Sequence, residues 1–437
     1  MEFYGKKLQS CTCGKKHVFP LKEILSEKGA IDKLPDIVAK YGVKKPFIVA
    51  DENTFKAAGK RVAETLKANC VPFGQFLFGA ETVEPDEKAV ERVLRAFDSS
   101  CDAVIGVGSG VINDICKILA SKNDRFYIIV ATAPSMDGYA SATSSMAVKW
   151  LKTSLNSKCP DVIIGDVDVL KNAPLKMLKA GLGDMLAKYV SILEWRLSHE
   201  INGEYYCETV AEMIRSARDE CVKNAAGLIK RDEKAVKAVF DGLIIGGIAM
   251  AYAGVSRPAS GAEHYVSHII DMRGLQFGTK IELHGIQCAI ATLIVAKLYD
   301  KLKSVTINEE KAEMETRAFD KRAWEENLRA FLGGAAEPMI VLEEKERKYD
   351  FDKAAARRKV IVRKWEDLKR IMGEELPSAQ KFTEILAAAG IPETFEKAGI
   401  DIDVKKAFAA TKDIRDKYVL SSLLWDIGLL GEFCGSL

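Results

Sequence analysis

Four short apolar runs alternate with three helical patterns between residues 46 and 131, and this alternation limits the fold more than any other feature. The apolar runs, which indicate strands, occupy 46–50, 73–78, 103–107 and 126–131, and the helical patterns occupy 55–68, 87–98 and 111–121. Strand–helix alternation at this spacing predicts a parallel sheet that helices cover on both faces. Residues 140–166 alternate in a way that indicates hairpin strands instead.

The pattern changes near residue 178, after which helical periodicity continues almost without strand signals. Apolar helices are predicted at 187–197, 206–228, 234–253, 264–270 and 286–298, and charged helices at 309–326 and 345–370. Asn172, Ala173 and Pro174 break the chain just before this change. We therefore predict an α/β protein with a sheet-containing domain at 1–175 and an all-helical domain at 176–437.

The composition favours a small molecule as the partner. The chain has 437 residues, 48% hydrophobic and 29% charged, with a formal net charge of only +2. No field of one sign is therefore expected to attract nucleic acid or an acidic membrane surface. The most apolar stretches, 243–255 and 286–298, are shorter than the ~20 residues of a membrane span, so they are predicted to be buried helices. The first sixteen residues lack the apolar core of a signal peptide.

Ten cysteines are scattered along the chain, and most lie inside apolar patterns. This usage predicts reduced thiols and a cytoplasmic location. Cys11 and Cys13 differ, because they lie in a polar segment that ends at His17. That spacing is compatible with a metal clip, but no second cysteine pair follows nearby, so the sequence leaves the role of these residues open.

A glycine-rich turn lies between a predicted strand and a predicted helix. It consists of Gly106, Val107, Gly108, Ser109 and Gly110. Glycines let a backbone turn tightly and approach a pyrophosphate, and the amides at a helix N-terminus then face the phosphates. The turn is therefore a candidate dinucleotide-binding site, although a simple tight turn remains the alternative because the GxGxxG spacing is absent.

Two other strand ends carry polar side chains. Asp51 ends the strand at 46–50, where a carboxylate can accept hydrogen bonds from a ribose and repel a ribose phosphate, which favours NAD over NADP. The alternative is that Asp51 caps the following helix. The strand at 126–131 leads into a loop whose polar composition suits nicotinamide and substrate hydroxyls, although such loops are often only turns. Its candidate residues are Thr132, Ala133, Pro134, Ser135, Asp137 and Ser141.

Three of the five histidines lie close together in the sequence, as His264, His268 and His284. His264 and His268 are four residues apart on a predicted helix, so they project from the same face. Asp184 lies in GLGDMLAK, near the start of the helical region. Imidazoles with one carboxylate can bind Zn, Ni or Fe, whereas core histidines that only form hydrogen bonds are the alternative.

The segments GVGSGVINDICK, ATAPSMDGYAS, GLGDMLAK, SGAEHYVSH and ELHG occur in the order seen in the iron-type (group III) alcohol dehydrogenase superfamily. That superfamily also includes glycerol dehydrogenases and dehydroquinate synthases. The sequence most resembles the bacterial sn-glycerol-1-phosphate dehydrogenases, to which CTCGKKH and VLSSLLWDIGLL are also similar. The resemblance covers nearly the whole chain and is weakest at 306–363.

The resemblance implies a Rossmann-like N-terminal domain, a helical C-terminal domain, a homodimer and an active site in the cleft between the domains. It implies NAD(H), with NADP(H) as the alternative, and one divalent metal, zinc in archaeal members and nickel in the bacterial branch. Its implied metal ligands are Asp184, His264 and His284. Its implied catalytic and substrate-contacting residues are Asp137, His268 and Asp184. Its implied cofactor contacts are Asp51, Gly106, Val107, Gly108, Ser109, Gly110, Thr132, Ala133, Pro134, Ser135 and Ser141.

The implied reaction is the reversible reduction of dihydroxyacetone phosphate to sn-glycerol 1-phosphate. The metal would act as a Lewis acid on the C2 carbonyl, and His268 would hold the substrate or relay a proton. No phosphate anchor is identified, and Arg257 and Lys188 are candidates only from their sequence positions. Other expectations are a glycerol or other polyol dehydrogenase, a dehydroquinate synthase-like lyase, and a non-catalytic binding protein. The intact set of expected metal ligands argues against the last.

Overall fold

A computed structural model describes residues 11–79, 83–148 and 151–437. The described chain forms two compact units. The sheet unit contains the residues up to Met185 together with Glu212–Val255, and the helical unit contains Leu186–Ala211 and Ser256–Leu437. Each unit is thus discontinuous in sequence, unlike the single expected boundary at 175/176, because the long helix within 212–255 packs with the sheet.

The expected absence of a signal peptide depends partly on residues 1–10, which lie outside the described residues.

The sheet unit is built on six parallel strands in the order β1-β8-β5-β4-β2-β3. The strands are β1 (Glu23–Glu27), β2 (Pro46–Ala50), β3 (Gly74–Leu77), β4 (Ala103–Gly108), β5 (Phe126–Ala131) and β8 (Val162–Asp166). All residues of β2, β4 and β8 are buried, which agrees with helices on both faces of the sheet. The α/β fold class expected from the alternating pattern is therefore confirmed.

The hairpin expected at 140–166 is only partly correct. Residues Thr143–Val148 (β6) and Leu151–Asn156 (β7) do form a separate antiparallel pair. However, β8 inserts into the main sheet, where it pairs in parallel with β1 and β5. Its run Val162-Ile163-Ile164 is apolar on every residue, as expected for a strand covered on both faces rather than for a hairpin strand. Strand β1 was not expected from the sequence.

Some of the following helices lie between these strands in the chain, and the others follow β8. They are α1 (Leu34–Lys40), α2 (Glu52–Thr54), α3 (Lys60–Ala68), α4 (Glu87–Ala96), α5 (Gly110–Lys122), α6 (Val167–Leu170), α7 (Leu175–Leu186), α9 (Glu208–Asn224) and α10 (Glu233–Ala253). A π-helical turn, Phe55–Gly59, joins α2 to α3. Among the described residues, α10 alone is long and apolar enough to span a membrane by length and composition, and most of its apolar window is buried inside the protein.

The helical unit contains α8 (Lys188–Asn202) and all helices after α10. These are α11 (Ala262–Phe277), α12 (His284–Lys303), α13 (Glu309–Arg317), α14 (Lys321–Leu332), α15 (Glu337–Glu346), α16 (Phe351–Arg363), α17 (Trp365–Glu375), α18 (Ala379–Ala389), α19 (Val404–Ala410), α20 (Leu420–Asp426) and α21 (Leu430–Gly435). The helical region expected after residue 178 is confirmed.

The two charged helices expected at 309–326 and 345–370 are wrong as continuous elements. Asp320 accepts a hydrogen bond from the Ala323 amide and starts α14, and Asp350 accepts one from the Lys353 amide and starts α16. Aspartate is a strong N-cap, because its side chain replaces the missing partner of a first-turn amide. Each long pattern is therefore broken at a capping aspartate that periodicity alone does not reveal.

Candidate active site

The carboxyl edge of the sheet carries the predicted cofactor residues. Strand β4 pairs with β2, so that Val49 is in register with Gly106, and with β5, so that Gly108 is in register with Ala131. Asp51 and the glycine-rich turn therefore follow adjacent strands. The strand order also reverses between β2 and β4, since β3 lies beyond β2 on one side and β5 lies beyond β4 on the other. Ligands of open α/β sheets bind at such a reversal.

The glycine-rich turn packs tightly because Gly108 has no side chain. A Cβ atom at Gly108 would lie 2.5 Å from Cβ of Ile112, so any larger residue would push the first turn of α5 away from β4. Ser109 precedes α5 but its side chain does not cap the helix. Its hydroxyl lies 2.6 Å from the Ser135 hydroxyl instead. The first-turn amides of α5 are thus not taken up by their own N-cap side chain, as a phosphate-binding helix start requires.

The glycine-rich turn and the loop after β5 are tied together. The Thr132 amide donates to the Gly108 carbonyl at 3.1 Å. The buried Tyr139 hydroxyl lies 2.7 Å from the Ala133 carbonyl and 3.2 Å from Oγ of Ser109. Burial raises the pKa of Tyr139, so its hydroxyl stays protonated and can donate. The two predicted cofactor-binding loops therefore form one connected surface.

Lys117 stabilises the loop after β5, and the sequence analysis did not identify it. Its side chain is fully buried, and Nζ donates to Oγ of Ser141 at 2.9 Å, to the Thr143 carbonyl at 3.0 Å and to the Gly138 carbonyl. Ser141 is thus engaged in holding the loop, in addition to any contact with a cofactor. The signal for Lys117 was a single cation within the apolar run of α5, where a charge is buried only when it has partners.

Asp51 does cap a helix. Its Oδ1 accepts a hydrogen bond from the Thr54 amide at 2.8 Å, and the Thr54 hydroxyl accepts one from the Asp51 amide at 3.0 Å. This reciprocal arrangement is a capping box. The capping interpretation of Asp51 is therefore correct, and its additional role as a ribose ligand stays a prediction.

Asp184 is fully buried near the end of α7. Its Oδ2 accepts a hydrogen bond from the Asp137 amide at 2.9 Å, so the carboxylate has a fixed orientation. Gly181 permits this approach, because a Cβ atom there would lie 1.9 Å from the Pro134 carbonyl oxygen. The sheet unit thus brings together two predicted site residues, Asp137 and Asp184, from segments distant in sequence.

The three histidines converge within the helical unit. His264 and His268 lie one turn apart on α11, and His284 is the first residue of α12. The ring centroid of His284 lies 5.0 Å from that of His264 and 5.7 Å from that of His268. His264 is buried and the other two rings are half-buried. The clustering predicted from helical spacing is therefore present in the structure.

A directional chain of hydrogen bonds fixes the tautomer of His284. Nε2 of Gln287 donates to the Glu282 carbonyl at 2.9 Å and to Asp271 at 3.2 Å, which leaves Oε1 of Gln287 as an acceptor. The Ser267 hydroxyl donates its one hydrogen to that Oε1 at 2.7 Å. Oγ of Ser267 must then accept from Nδ1 of His284, which is 2.8 Å away. The proton on Nδ1 leaves the Nε2 lone pair for a ligand.

Glu263 fixes the tautomer of His264 in a similar way. Its buried Oε1 lies 2.7 Å from Nδ1 of His264 and accepts a second hydrogen bond from the Gly261 amide. A carboxylate at this position keeps the proton on Nδ1 and the lone pair on Nε2. Burial, together with the charge of Glu263, raises the pKa of the neighbouring Glu194. The raised pKa favours the neutral form of Glu194, which limits the repulsion between the two acids.

Cys288 adjoins the histidine cluster, and Arg257 and Lys188 are the two expected phosphate anchors. Cys288 lies one turn after His284, with Sγ 3.6 Å from Nε2 and 4.0 Å from Nδ1. These similar distances place the thiol beside the ring rather than on the Nε2 lone-pair axis. Arg257 is bound by both carboxylate oxygens of Glu204, and Lys188 is buried and donates to the Ala259 carbonyl. A substrate phosphate at Arg257 would have to displace Glu204.

The donor set fits a divalent metal ion. His264 and His284 each hold Nδ1 in a hydrogen bond, so the neutral form of each ring presents the Nε2 lone pair, as metal-binding histidines usually do. A pair of histidines that only stabilised the core would not need this tautomer on both rings. Imidazole nitrogens suit Zn, Ni and Fe alike, so the ligand type does not select among them.

Comparisons with known proteins agree with this chemistry. A family model described as iron-containing alcohol dehydrogenase matches residues 25–174. An NAD(P)+ glycerol-1-phosphate dehydrogenase of Halalkalibacterium halodurans is 34% identical over 296 residues, which cover 66% of this chain and 73% of the relative. One of Bacillus licheniformis is 26% identical over 441 residues, covering 100% of this chain and 96% of the relative.

The fold has solved counterparts as well. The structure of a probable glycerol dehydrogenase from Sinorhizobium meliloti superposes with a TM-score of 0.61 at 18% identity, covering 96% of this chain and 99% of that one. At this identity the likeness concerns the fold. The relatives match in sequence over most of their own length, and the family model matches the sheet unit. The chain therefore belongs to the iron-containing alcohol dehydrogenase family, among the relatives of its NAD(P)+ glycerol-1-phosphate dehydrogenases.

Proposed function

We propose that this oxidoreductase catalyses the reversible, NAD(P)H-dependent reduction of dihydroxyacetone phosphate to sn-glycerol 1-phosphate. The observation that carries the proposal is the match to relatives named glycerol-1-phosphate dehydrogenase, at 34% identity over two thirds of this chain. The hydrogen bonds that fix the tautomers of His264 and His284 also support it, since a non-catalytic protein of this fold would not need them. Glycerol dehydrogenase activity is the second candidate, because a solved structure of the same fold carries that name.

We propose that the dinucleotide binds at the carboxyl edge of the sheet. The first-turn amides of α5, with Ser109 beside them, would hold the pyrophosphate. Asp51 would accept hydrogen bonds from the adenosine ribose through the carboxylate oxygen that does not cap α2, which favours NADH over NADPH. Thr132 to Ser135 lie next to the glycine-rich turn and would border the nicotinamide end.

We propose that His264, His284 and Asp184 hold one divalent ion, Zn or Ni. When bound, such an ion supplies Lewis-acid polarisation of a ketone oxygen. His264 and His284 contribute neutral nitrogens, and Asp184 contributes a carboxylate that the Asp137 amide orients. The charge of the carboxylate would be neutralised by the cation, which explains why an acid fully buried in the sheet unit is tolerated.

The remaining polar groups would handle the substrate. Asp137 would bind a substrate hydroxyl, and His268 would move a proton to or from the oxygen at C2. His268 suits this task because its ring lies beside that of His284, with 5.7 Å between the ring centroids. Holding the substrate at the metal and at its phosphate would present one face of C2 to the hydride, so one enantiomer should form. A homodimer and a cytoplasmic location complete the proposal.

The test compares two ketones with NADH and the metal-loaded protein. Dihydroxyacetone phosphate should be reduced with a kcat/KM on the order of 100-fold or more above that of dihydroxyacetone, since the phosphate contributes several kcal/mol of transition-state binding. A chiral assay should give sn-glycerol 1-phosphate. Equal rates for the two ketones would move the assignment to glycerol dehydrogenase, and sn-glycerol 3-phosphate as product would exclude the proposed reaction.

A further inference from the structure

Three side chains of types that can bind metal ions converge far from the histidine cluster in the sequence. Cys11, Cys13 and His17 lie in a segment without helix or strand, and their ligand atoms all lie within 4.8 Å of one another. Each of the three side chains is half-buried, whereas Thr12 and the residues at 14–16 are exposed. The segment therefore turns its sulfur and nitrogen atoms inward and its other side chains outward.

A glycine makes this convergence possible. Gly14 has a φ of 85°, in the left-handed region that residues with a Cβ atom rarely adopt. The chain therefore reverses direction directly after Cys13, and His17 returns toward it. Nε2 of His17 lies 3.2 Å from Sγ of Cys13. The two residues are four apart without being on a helix, so the contact is made by the turn and not by helical geometry.

The end of α10 anchors the segment and fixes the tautomer of His17. The last carbonyls of a helix have no partner within it. Lys15 donates to the Ala253 carbonyl at 2.7 Å, and Nδ1 of His17 lies 3.0 Å from the Tyr252 carbonyl. A carbonyl only accepts, so Nδ1 of His17 carries the proton. The Nε2 lone pair then points toward the cysteines, as in a metal-binding histidine whose other nitrogen donates to a backbone carbonyl.

A thiol–imidazole hydrogen bond would account for the contact between Cys13 and His17. It would not account for the nearby sulfur atom of Cys11. Two sulfurs and one imidazole nitrogen match the donor types of zinc, whose tetrahedral radius of about 2.0–2.3 Å separates neighbouring ligand atoms by roughly 3.3–3.8 Å. Clusters within 4.8 Å can close to that spacing by small side-chain rotations. The segment also has no regular structure, which is where a metal adds most to order.

We propose that Cys11, Cys13 and His17 bind a structural zinc ion, which fastens the segment at 11–20 to the end of α10. The ligands deprotonate on binding, so each cysteine releases one proton and coordinates as a thiolate. This ion uses none of the residues assigned to the reaction. The assignment therefore stands or falls independently of the proposed function.

The test uses the full-length protein with Cys13→Ser and Cys11→Ser, and Cys70→Ser as the matched control. Cys70 is an exposed cysteine of the same unit. Metal content is measured by elemental analysis, and Co²⁺ replaces Zn²⁺ to report thiolate ligands through near-ultraviolet charge-transfer absorption. Cys11→Ser and Cys13→Ser should each lose one ion per chain and this absorption, and should keep the dehydrogenase activity. Cys70→Ser should retain both.

A double variant distinguishes this site from that of the proposed catalytic ion. His264→Ala/His284→Ala should lose the catalytic ion and retain one zinc, and X-ray absorption at the zinc edge should show sulfur at about 2.3 Å. This measurement needs no change at the cysteines, so it remains decisive if those variants fail to fold. Retained cobalt–thiolate absorption in Cys13→Ser would overturn the proposal, as would a zinc spectrum without sulfur.

Discussion

Oγ of Ser267 lies 2.8 Å from Nδ1 of His284, and the Ser267 hydroxyl donates its hydrogen to Oε1 of Gln287. The serine can therefore only accept from the imidazole, so in the neutral ring the hydrogen is on Nδ1 and the lone pair is on Nε2. The orientation of Gln287 is set in turn by the Glu282 carbonyl and Asp271. Four residues that would not touch a metal thus decide how one of its expected ligands is presented.

Removal of the Ser267 hydroxyl should weaken metal binding. In Ser267→Ala, Nδ1 of His284 loses its acceptor, and the imidazole can place its proton on Nε2. We expect the Kd for Zn²⁺ or Ni²⁺ to rise by about 10–100-fold, as for other residues that orient metal ligands. Competition with a chromophoric chelator measures this Kd directly.

The matched control for this change is Ser191→Ala. Ser191 is a buried serine of the same unit, and its hydroxyl donates to the Pro258 carbonyl. It should leave the Kd unchanged, and Ser267→Thr, which keeps the hydroxyl, should restore most of the affinity. An unchanged Kd in Ser267→Ala would show that the tautomer of His284 is set by some other group.

Gly181→Ala should destabilise the sheet unit. The new Cβ atom would lie 1.9 Å from the Pro134 carbonyl oxygen, so α7 would have to move away from the loop after β5. Overpacking of this kind costs about 1–3 kcal/mol. Urea denaturation measures the loss, and the Kd for NADH should rise as well because the loop belongs to the proposed cofactor surface.

Gly373→Ala provides the opposite expectation at a helical glycine. Gly373 lies inside α17, and no heavy atom outside its immediate surroundings lies within 4 Å of the added Cβ atom. Alanine should therefore stabilise the protein by about 0.5–1 kcal/mol through the lower entropy of its unfolded chain. If both variants were destabilised equally, the Pro134 contact would not be the cause.

Particular residues show what the sequence could predict and what it could not. Strand–helix alternation identified β2, β4 and β5, because a strand buried on both faces is apolar throughout. The same rule applies to β8, yet its position after a hairpin suggested a hairpin strand. Only pairing with β1 and β5 over long sequence separations decides where β8 lies.

The candidate site likewise contains residues that the sequence predicted and residues that it did not. Helical spacing correctly predicted that His264 and His268 share a face, because such spacing is a local property. Lys117, Ser267 and Glu263 were missed, because their importance depends on atoms distant in sequence or on a particular hydrogen-bond direction. Burial of a charge or a hydroxyl becomes informative only when its partners are known.

Asp51 offers a way to separate capping from cofactor choice. Asp51→Ser keeps a side-chain oxygen for the Thr54 amide but removes the charge that would repel a ribose phosphate. The ratio of kcat/KM for NADH to that for NADPH should fall, with little change in stability. Asp51→Ala should also lose about 1 kcal/mol of stability. A wild-type enzyme that strongly prefers NADPH would contradict the assigned role.

Lys412 should make stability depend on pH. It is buried, with Nζ 3.3 Å from the Tyr349 ring centroid, and burial lowers its pKa to about 7. The unfolded chain keeps this proton up to a pKa of about 10.4. Between these values the unfolded state binds more protons, so the free energy of unfolding contributed by Lys412 rises with pH.

Lys412→Met should therefore flatten the rise in unfolding free energy between about pH 7 and 10. Lys406→Met, at an exposed lysine of α19, is the control and should retain the wild-type slope. Urea denaturation at several pH values gives the slopes. A slope in Lys412→Met equal to that of wild type would mean that the buried ammonium stays protonated in the folded protein.

His264 and His268 lie one turn apart and project from one face of α11, yet they should fail in different ways when replaced. Nδ1 of His264 is held by Glu263, which presets Nε2 for the metal, whereas His268 stacks beside His284 at 5.7 Å between ring centroids. His264→Ala should lose most bound metal and, with it, the activity. His268→Ala should keep the metal and lower kcat by about 10²–10⁴-fold, the range for loss of a proton-transfer group. Its pH–rate profile should also lose one limb, which a purely structural role would not cause. Elemental analysis of both purified variants, followed by kcat and KM with saturating metal, distinguishes the two roles. Loss of metal from His268→Ala to the same extent as from His264→Ala would make His268 a ligand and leave the proton transfer to another group.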